Sequence, residues 1–175
     1  MKHLHKFIEF LNESQQLTPE IEEFCKNIHI TPDQYTGEVE IGGDLYLWNL
    51  EVIPQGFNPT IRGDLELGGL EVIPQGFNPT VGGDLHLWGL KEIPQGFNPT
   101  VGGSLNLRSL KEIPQGFNPT VGGDLNLSGL EGIPQGTKFD GTRGGIYIVP
   151  KHNNPNQMLI DLDSIAESVK WIKIR

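Results

Sequence analysis

The sequence predicts a solenoid, a fold in which short repeats stack along one axis and their strands form a parallel sheet. Two blocks, IPQGFNPT and GDL-x-L-x-x-L, each recur at a spacing of 20 residues. A repeat of this length is too short to bury its own apolar face, so neighbouring repeats must stack. The first block begins at Ile53, Ile73, Ile93 and Ile113, with a decaying copy at Ile133. The first leucine of the second block is Leu45, Leu65, Leu85, Leu105 or Leu125, and Ser104 replaces the aspartate once.

Residues 1–40 predict a helical N-terminal cap. Apolar residues at three- and four-residue spacings indicate an amphipathic helix over residues 3–16. Thr18-Pro19 is a typical helix start and predicts a second helix that runs to about Asn27. Thr31-Pro32-Asp33 predicts a turn before the first repeat. The side chains that the second helix is expected to bury are Ile21, Phe24, Cys25 and Ile28.

Each repeat can be interpreted from one copy. Leu85 and Leu87 alternate with polar or variable residues, as in a short strand with one buried face. Pro94-Gln95-Gly96 forces a turn, and Asn98-Pro99-Thr100 is extended or turned because the residue before a proline avoids the helical region. Stacking would place these strands in parallel, about 4.8 Å apart. The inward side chains of this copy are Val81, Leu85, Leu87, Leu90, Ile93 and Phe97.

The repeats are expected to fill residues 41–150, with a degenerate sixth strand at 146–148. Residues 151–175 form the predicted C-terminal cap. Leu162, Ile165, Val169 and Ile172 share one face of a helix predicted over residues 159–172. Such a helix would cover the last edge strand, which would otherwise invite aggregation.

The L-x-L-x-x-L runs, each followed by Ile-Pro-Gln-Gly, resemble the leucine-rich-repeat proteins, in particular their short bacterial forms. The resemblance covers residues 41–150 and implies a right-handed coil of α/β class, with a parallel sheet on its concave face and a role in protein recognition. The return segments here are Pro/Gly-rich, so they are expected to be turns and extended chain rather than helices. The repeat position that is Asn or Cys in the commoner leucine-rich repeats is Leu in every copy here, at Leu50, Leu70, Leu90, Leu110 and Leu130.

Charge and composition exclude several partners. The 175-residue chain has a net charge of -9 and a pI near 4.9. This argues against nucleic acid, which needs a basic face, and against anionic membranes. No apolar run is long enough to span a bilayer, and the N-terminus does not resemble a signal peptide. The single Cys25 suggests a reducing compartment, so a cytoplasmic protein is expected, with delivery into a host cell as the alternative.

The outward positions of the strands are the candidate functional positions, because they differ between copies that are otherwise nearly identical. The two columns are Tyr46, Glu66, His86, Asn106, Asn126 and Trp48, Gly68, Trp88, Arg108, Ser128. Trp, Tyr and Arg dominate binding hot spots. One hypothesis is that Trp48 and Trp88 bracket a slot over Gly68, with Arg108 beside it. The alternative is that the indoles lean over Gly68 and cover its backbone.

The columns that repeat are expected to be structural. The aspartates (Asp44, Asp64, Asp84, Asp124) are interpreted as acceptors for backbone N–H groups, in preference to calcium ligands. The asparagines (Asn58, Asn78, Asn98, Asn118) are interpreted as a buried ladder that bonds the turn backbone. The phenylalanines (Phe57, Phe77, Phe97, Phe117) are assigned to the core.

Catalysis is not expected. His86 has Glu66 and Asn106 as neighbours but no nucleophile. His3 and His5 have no partners with metal-ligand spacing, and no cofactor or metal is expected.

The function that the sequence favours is non-catalytic recognition of a protein, by a monomer or weak homodimer. The expected contact residues are Tyr46, Trp48, Glu66, His86, Trp88 and Arg108. The alternatives are a bacterial effector or phage-encoded inhibitor that blocks a host enzyme, and a small-ligand binder that uses the slot between Trp48 and Trp88.

Overall fold

The computed structural model describes residues 18–148 and the backbone of residues 172–173. These residues form a parallel β-solenoid of about five repeats, preceded by two short helices. We number the repeats one to five by the leucine that begins the strand in each: Leu45, Leu65, Leu85, Leu105 and Leu125. Two parallel sheets run along the solenoid, which we call the long sheet and the short sheet.

The strands are each two residues long, and those of the two sheets alternate along the repeats. In chain order they are β1 (Leu45–Tyr46), β2 (Thr60–Ile61), β3 (Leu65–Glu66), β4 (Thr80–Val81), β5 (Leu85–His86), β6 (Thr100–Val101), β7 (Leu105–Asn106), β8 (Thr120–Val121), β9 (Leu125–Asn126), β10 (Ile146–Tyr147) and β11 (Ile172–Lys173). The long sheet has the order β1-β3-β5-β7-β9-β10-β11, and the short sheet has the order β2-β4-β6-β8. Equivalent residues of neighbouring repeats pair directly, so the 20-residue period sets the register from β1 to β9.

The short sheet was not predicted. The sequence indicated only extended or turned chain around Thr100, whereas Thr100–Val101 pairs in parallel with Thr80–Val81. In this sheet the amide of Gly82 donates to the carbonyl oxygen of Ile61 at 2.7 Å. The β-branched Thr-Val pair favours a strand. Two residues are nevertheless too few to show an alternating pattern, so the pairing becomes visible only when repeats are stacked.

The core is formed by the columns that the sequence assigned to it. Four phenylalanine rings stack almost in parallel, with centroids 6.1, 6.2 and 6.3 Å apart from Phe57 to Phe117. Phe139 closes the stack edge-on against Phe117. In repeat three Ile93 is only partly buried, while the other five predicted inward side chains are fully buried.

The aspartate column connects successive repeats, as expected. The amide of Asp84 donates to Oδ1 of Asp64 at 2.7 Å, and the same bond recurs from Ser104 to Asp84 at 2.6 Å. Where Ser104 replaces aspartate, its hydroxyl oxygen accepts from the amide of Asp124 at 3.1 Å. The ladder thus needs only an acceptor at this position, which explains why serine is tolerated.

The asparagine column also connects successive repeats, but the prediction that it is buried was wrong. The amide of Asn98 donates to Oδ1 of Asn78 at 2.6 Å, and Nδ2 of Asn78 donates to the carbonyl oxygen of Gly96 at 3.1 Å. Asn78 and Asn98 are exposed. These turns lie at the rim of the solenoid, so water reaches the outer side of the amides while their backbone bonds are made. A further, unpredicted ladder runs along the glutamines, in which Nε2 of Gln75 donates to the carbonyl oxygen of Gln95 at 2.8 Å.

Two helices cover the first repeat. Helix α1 (Pro19–Asn27) begins after its N-cap Thr18, as predicted, and buries Cys25. The remaining apolar residues of the predicted face, Ile21, Phe24 and Ile28, are partly buried against the core. The turn predicted at residues 31–33 is instead the start of helix α2 (Pro32–Thr36). Thr31 and Gln34 form a capping box, in which the backbone amide of Gln34 donates to Oγ1 of Thr31 and that of Thr31 donates to Oε1 of Gln34. These bonds favour a helix of only five residues.

Tyr35 in α2 ends both the phenylalanine stack and the glutamine ladder. Its ring lies 5.4 Å from that of Phe57, and its hydroxyl donates to the carbonyl oxygen of Gln55 at 2.8 Å. It therefore replaces the glutamine amide that a preceding repeat would offer. Burial, followed by the nearby Cys25, raises the pKa of Tyr35 to about 12.

We expect the stability of the protein to fall between pH 10 and 12 in a way that depends on Tyr35. The unfolded chain loses the phenol proton near pH 10, whereas the folded chain keeps it until about pH 12. The stabilising difference is complete below pH 10, and on the order of 2 kcal/mol is lost as the pH rises through this window. Urea unfolding at several pH values would measure it. Tyr35→Phe is the control, because it retains the ring and Cys25. An equally steep decline in this variant would contradict the assignment.

The C-terminal predictions have different outcomes. The sixth strand is confirmed as β10, which pairs with β9. Ile172, assigned to the face of a helix, lies in β11 and pairs with Ile146. Strand β11 thus supplies backbone partners for the edge that β10 would otherwise leave open. The rest of the helix predicted over residues 159–172 and the helix predicted over residues 3–16 lie outside the described residues.

Candidate functional site

The six predicted contact residues lie on the outward side of the long sheet. In each repeat the first strand residue is a buried leucine and the second faces out, because side chains alternate along a strand. Tyr46, Glu66 and His86 are the second residues of adjacent strands. Trp48, Trp88 and Arg108 stand two residues further along their repeats, on the same side. The parallel register thus brings all six onto one surface, which we call the sheet face.

Trp88 lies directly over Gly68 of the preceding repeat. A β-carbon added to Gly68 would overlap the indole atoms Cε2, Cζ2 and Nε1 of Trp88. The space above Gly68 is therefore filled by Trp88 itself, as expected if the indole covers exposed backbone. The open slot hypothesised between Trp48 and Trp88 is not present in this form.

Arg108 continues this arrangement into the next repeat. Its guanidinium carbon lies 5.6 Å from the centroid of the Trp88 ring, within cation–π distance. Each of these side chains leans towards the preceding repeat, so Arg108 covers Trp88 and Trp88 covers Gly68. In this half of the sheet face, the side chains of Trp88 and Arg108 therefore pack against other residues of the same face.

Tyr46 and Trp48 form a second, more open pair at the first repeat. Their ring centroids are 5.5 Å apart, and 52% of Tyr46 and 57% of Trp48 is exposed. The Tyr46 hydroxyl donates to Oδ2 of Asp44 at 2.8 Å, which orients the ring. The backbone amide of Asp64 and this hydroxyl lower the pKa of Asp44, and the same bond raises the pKa of Tyr46. The aromatic pair is thus held in position by an ionised carboxylate while its surface remains open.

His86 lies between Glu66 and Trp88 on the sheet face. Its Nε2 lies 3.5 Å from Oε1 of Glu66 and 3.9 Å from Oδ2 of Asp84, and its ring lies 5.5 Å from that of Trp88. Nδ1 of His86 and Oε2 of Glu66 are buried atoms without a hydrogen-bond partner. The arrangement provides hydrogen-bonding groups, and no serine, threonine or cysteine nucleophile is found among these contacts.

The sequence interpretation missed a second set of positions that differ between repeats. These follow the buried leucine of the turn after each long-sheet strand, and they read Glu51, Glu71, Lys91, Lys111, Glu131 and Val52, Val72, Glu92, Glu112, Gly132. The sequence contained a signal for these positions, because they lie between the two blocks that recur and yet differ from repeat to repeat. Ion pairs join neighbouring repeats here, Lys91 with Glu71 and Lys111 with Glu131. We call this column pair the lateral edge.

The sheet face and the lateral edge are continuous. A cleft of about 950 Å³ in repeats three and four is lined by Arg108 from the sheet face and by Lys91, Glu92, Lys111 and Glu112 from the lateral edge. Because the repeats are equivalent, the corresponding positions in repeats one and two also adjoin. The variable surface is therefore wider than the two predicted columns.

Within residues 18–148 no three His, Cys, Asp or Glu side chains are grouped so that they could hold a metal ion. In the same part of the chain neither helix has the length and hydropathy needed to cross a membrane.

Comparison with protein-family models, with curated proteins and with solved structures finds no match to this chain. The fold and the surface define the protein as a parallel β-solenoid. Its core and turn residues are nearly the same in every repeat, and the residues that differ lie on one side.

We expect Trp88→Ala to destabilise the protein more than Trp48→Ala. Trp88 covers Gly68 and packs under Arg108, so its removal exposes backbone and should cost about 1–2 kcal/mol. Trp48 is more exposed, and its removal should cost less than about 1 kcal/mol. Urea unfolding of both variants checks the difference, and equal losses would contradict the packing described for Trp88.

Proposed function

We propose that this protein is a non-catalytic recognition module that binds a protein partner through the sheet face. We further propose that its coil is of the leucine-rich-repeat type, right-handed and with the sheet face concave. The resemblance of the repeats to that family supports the second proposal. The first rests on the surface itself.

One observation carries the proposal: the side chains that vary between otherwise repeated units are gathered on one side of the solenoid. The outward positions of the short sheet do not vary. They are threonine in every strand, at Thr60, Thr80, Thr100 and Thr120. A position that served only the frame would be expected to repeat in the same way. On the sheet face, by contrast, Tyr46, Trp48 and Arg108 are of the types that contribute most to protein interfaces.

Trp48 and Tyr46 are the proposed anchors. Both combine a large exposed apolar area with a fixed position, since Tyr46 is hydrogen-bonded to Asp44 and packs against Trp48. A side chain that is already oriented loses little conformational freedom on binding. Glu66, His86, Trp88 and Arg108 extend the same surface, with the Glu66 carboxylate beside the His86 ring and the Arg108 guanidinium over the Trp88 ring.

Capture of binding proteins from a native lysate tests the proposal. Immobilised wild type is compared with Tyr46→Ala/Trp48→Ala and with the control Thr80→Ala/Thr100→Ala, which truncates two exposed side chains on the short sheet. We expect a protein that wild type and control retain equally and that the aromatic variant retains at least about tenfold less. Equal retention by all three proteins would reject the sheet face as the binding surface.

A further inference from the structure

The exposed large apolar side chains of the described residues are confined to one end of the solenoid. They are Val39, Tyr46, Trp48, Val52 and Val72, and 72% of Val52 and 57% of Val72 is exposed. In repeats three and four the positions equivalent to Val52 and Val72 hold Glu92 and Glu112. The difference between the two halves is thus one of chemistry, on a frame that is otherwise the same.

These apolar side chains belong to one continuous surface. Trp48 occupies the column of Arg108, and Val52 and Val72 occupy the column of Glu92 and Glu112. Those later residues line a single cleft. Equivalent positions in repeats one and two therefore share the same edge, and we call Tyr46, Trp48, Val52 and Val72 the apolar edge.

The surroundings of the apolar edge are strongly acidic. Arg62 is the only basic residue among residues 38–72, and it pairs with Glu40 at 2.6 Å, while Lys91 of repeat three pairs with Glu71. The acidic residues of this segment are Glu38, Glu40, Asp44, Glu51, Asp64, Glu66 and Glu71. In contrast, the equivalent residues 78–112 carry Lys91, Arg108 and Lys111 against Asp84, Glu92 and Glu112. The negative potential is therefore concentrated where the apolar side chains are exposed.

We propose that the apolar edge binds a basic segment of the partner protein, in which aliphatic or aromatic side chains are flanked by lysine or arginine. This inference rests on the proposed function and names the chemistry of the partner. Val52, Val72 and Trp48 would receive the apolar side chains. Glu51 and the other carboxylates would surround them and attract the cationic groups.

Charge complementarity favours a basic partner segment at the apolar edge. A cationic partner is attracted to the carboxylates over roughly a Debye length, about 8–10 Å at ordinary salt, while an acidic or neutral segment gains nothing from them. Asp44 contributes a fixed negative charge, because its carboxylate accepts the amide of Asp64 and the hydroxyl of Tyr46. A two-fold dimer that pairs two apolar edges is disfavoured, since their acidic surroundings would repel.

Selection from a random dodecapeptide display library tests the inference. Wild-type protein is the bait, and the affinities of the selected peptides are then measured by Trp fluorescence or calorimetry at low and high salt. We expect enrichment of lysine or arginine beside leucine, tryptophan or tyrosine, and binding that weakens as salt rises. Glu51→Gln/Glu71→Gln should weaken binding about fivefold. Val52→Ser/Val72→Ser should weaken it about tenfold.

The matched control is Glu92→Gln/Glu112→Gln, which removes the same number of charges from the lateral edge of repeats three and four. Selected peptides without a basic bias, no selectable peptide, or equal losses in the two Glu→Gln variants would each overturn the inference. So would a dimer that Val52→Ser/Val72→Ser dissociates, because the apolar edge would then be covered by a second copy. If the protein still captures a partner through Tyr46 and Trp48 but the peptide results differ from these expectations, only the inference of a basic partner segment is rejected. The proposed function then stands.

Discussion

Replacing Phe97 by alanine is expected to lower the free energy of unfolding by about 3–5 kcal/mol. The ring is fully buried and lies between Phe77 and Phe117, with centroids 6.2 and 6.3 Å away. Its loss leaves a cavity at the centre of the stack, and the rings on either side are fixed by the repeat spacing, so they cannot move in to fill it. Urea or thermal unfolding would measure the change.

The position of Phe97 should also affect cooperativity. A solenoid is held together by contacts between neighbouring repeats, so a break in the middle weakens the coupling of its two ends. We therefore expect a broader unfolding transition in Phe97→Ala than in the wild type. Phe97→Leu is the control, because it keeps most of the apolar volume and should lose much less. A loss below about 1 kcal/mol in Phe97→Ala would contradict the stacked core.

Gly102→Ala is expected to have an effect of comparable size, about 2–4 kcal/mol, through close packing of the backbone. A β-carbon at this position would overlap the carbonyl oxygen of Gly82 in the preceding repeat. The amide of Gly102 also donates to Val81 at 2.7 Å, so the two chains cannot separate without losing a bond of the short sheet. Denaturant unfolding of the purified variant measures the loss.

Two other glycines serve as controls for Gly102. Gly132→Ala should be nearly neutral, because its backbone is not left-handed and an added β-carbon there meets no atom within 4 Å. Gly96→Ala also meets open space, but its φ of +84° is strained for alanine and should cost about 1 kcal/mol. The order of loss is expected to be Gly102, then Gly96, then Gly132. A Gly102→Ala protein as stable as Gly132→Ala would show that the repeats are not packed this closely.

The sequence determined the main frame of the fold because a strict period leaves little freedom. A spacing of 20 residues requires Leu65 to pair in parallel with Leu85, and Leu85 with Leu105, and it forces Phe77 over Phe97. The Asp ladder could be anticipated for the same reason. The short sheet could not, since a Thr-Val pair is too brief to show the alternation by which strands are recognised.

The sequence predicted which residues of the candidate site share a surface, but it did not predict how their side chains pack. Periodicity places Trp48 and Trp88 in one column, but it contains no information on which way each indole leans. The absence of a side chain at Gly68 decided this for Trp88. The lateral edge was missed because its residues follow a turn, where no strand pattern draws attention to Val52 and Val72. At the ends of the solenoid, where repetition stops, Thr31 and Ile172 were assigned incorrectly.

We propose that the frame of this solenoid is separable from the binding surface proposed on its sheet face. The most direct measurement takes the partner captured by the wild type and determines, for Tyr46→Ala/Trp48→Ala, both its affinity by calorimetry and the free energy of unfolding of the variant. We expect the free energy of unfolding to change by no more than about 1 kcal/mol, while the affinity for the partner falls at least about tenfold. Unchanged affinity, or a loss of affinity that occurs only because the variant unfolds, would contradict it.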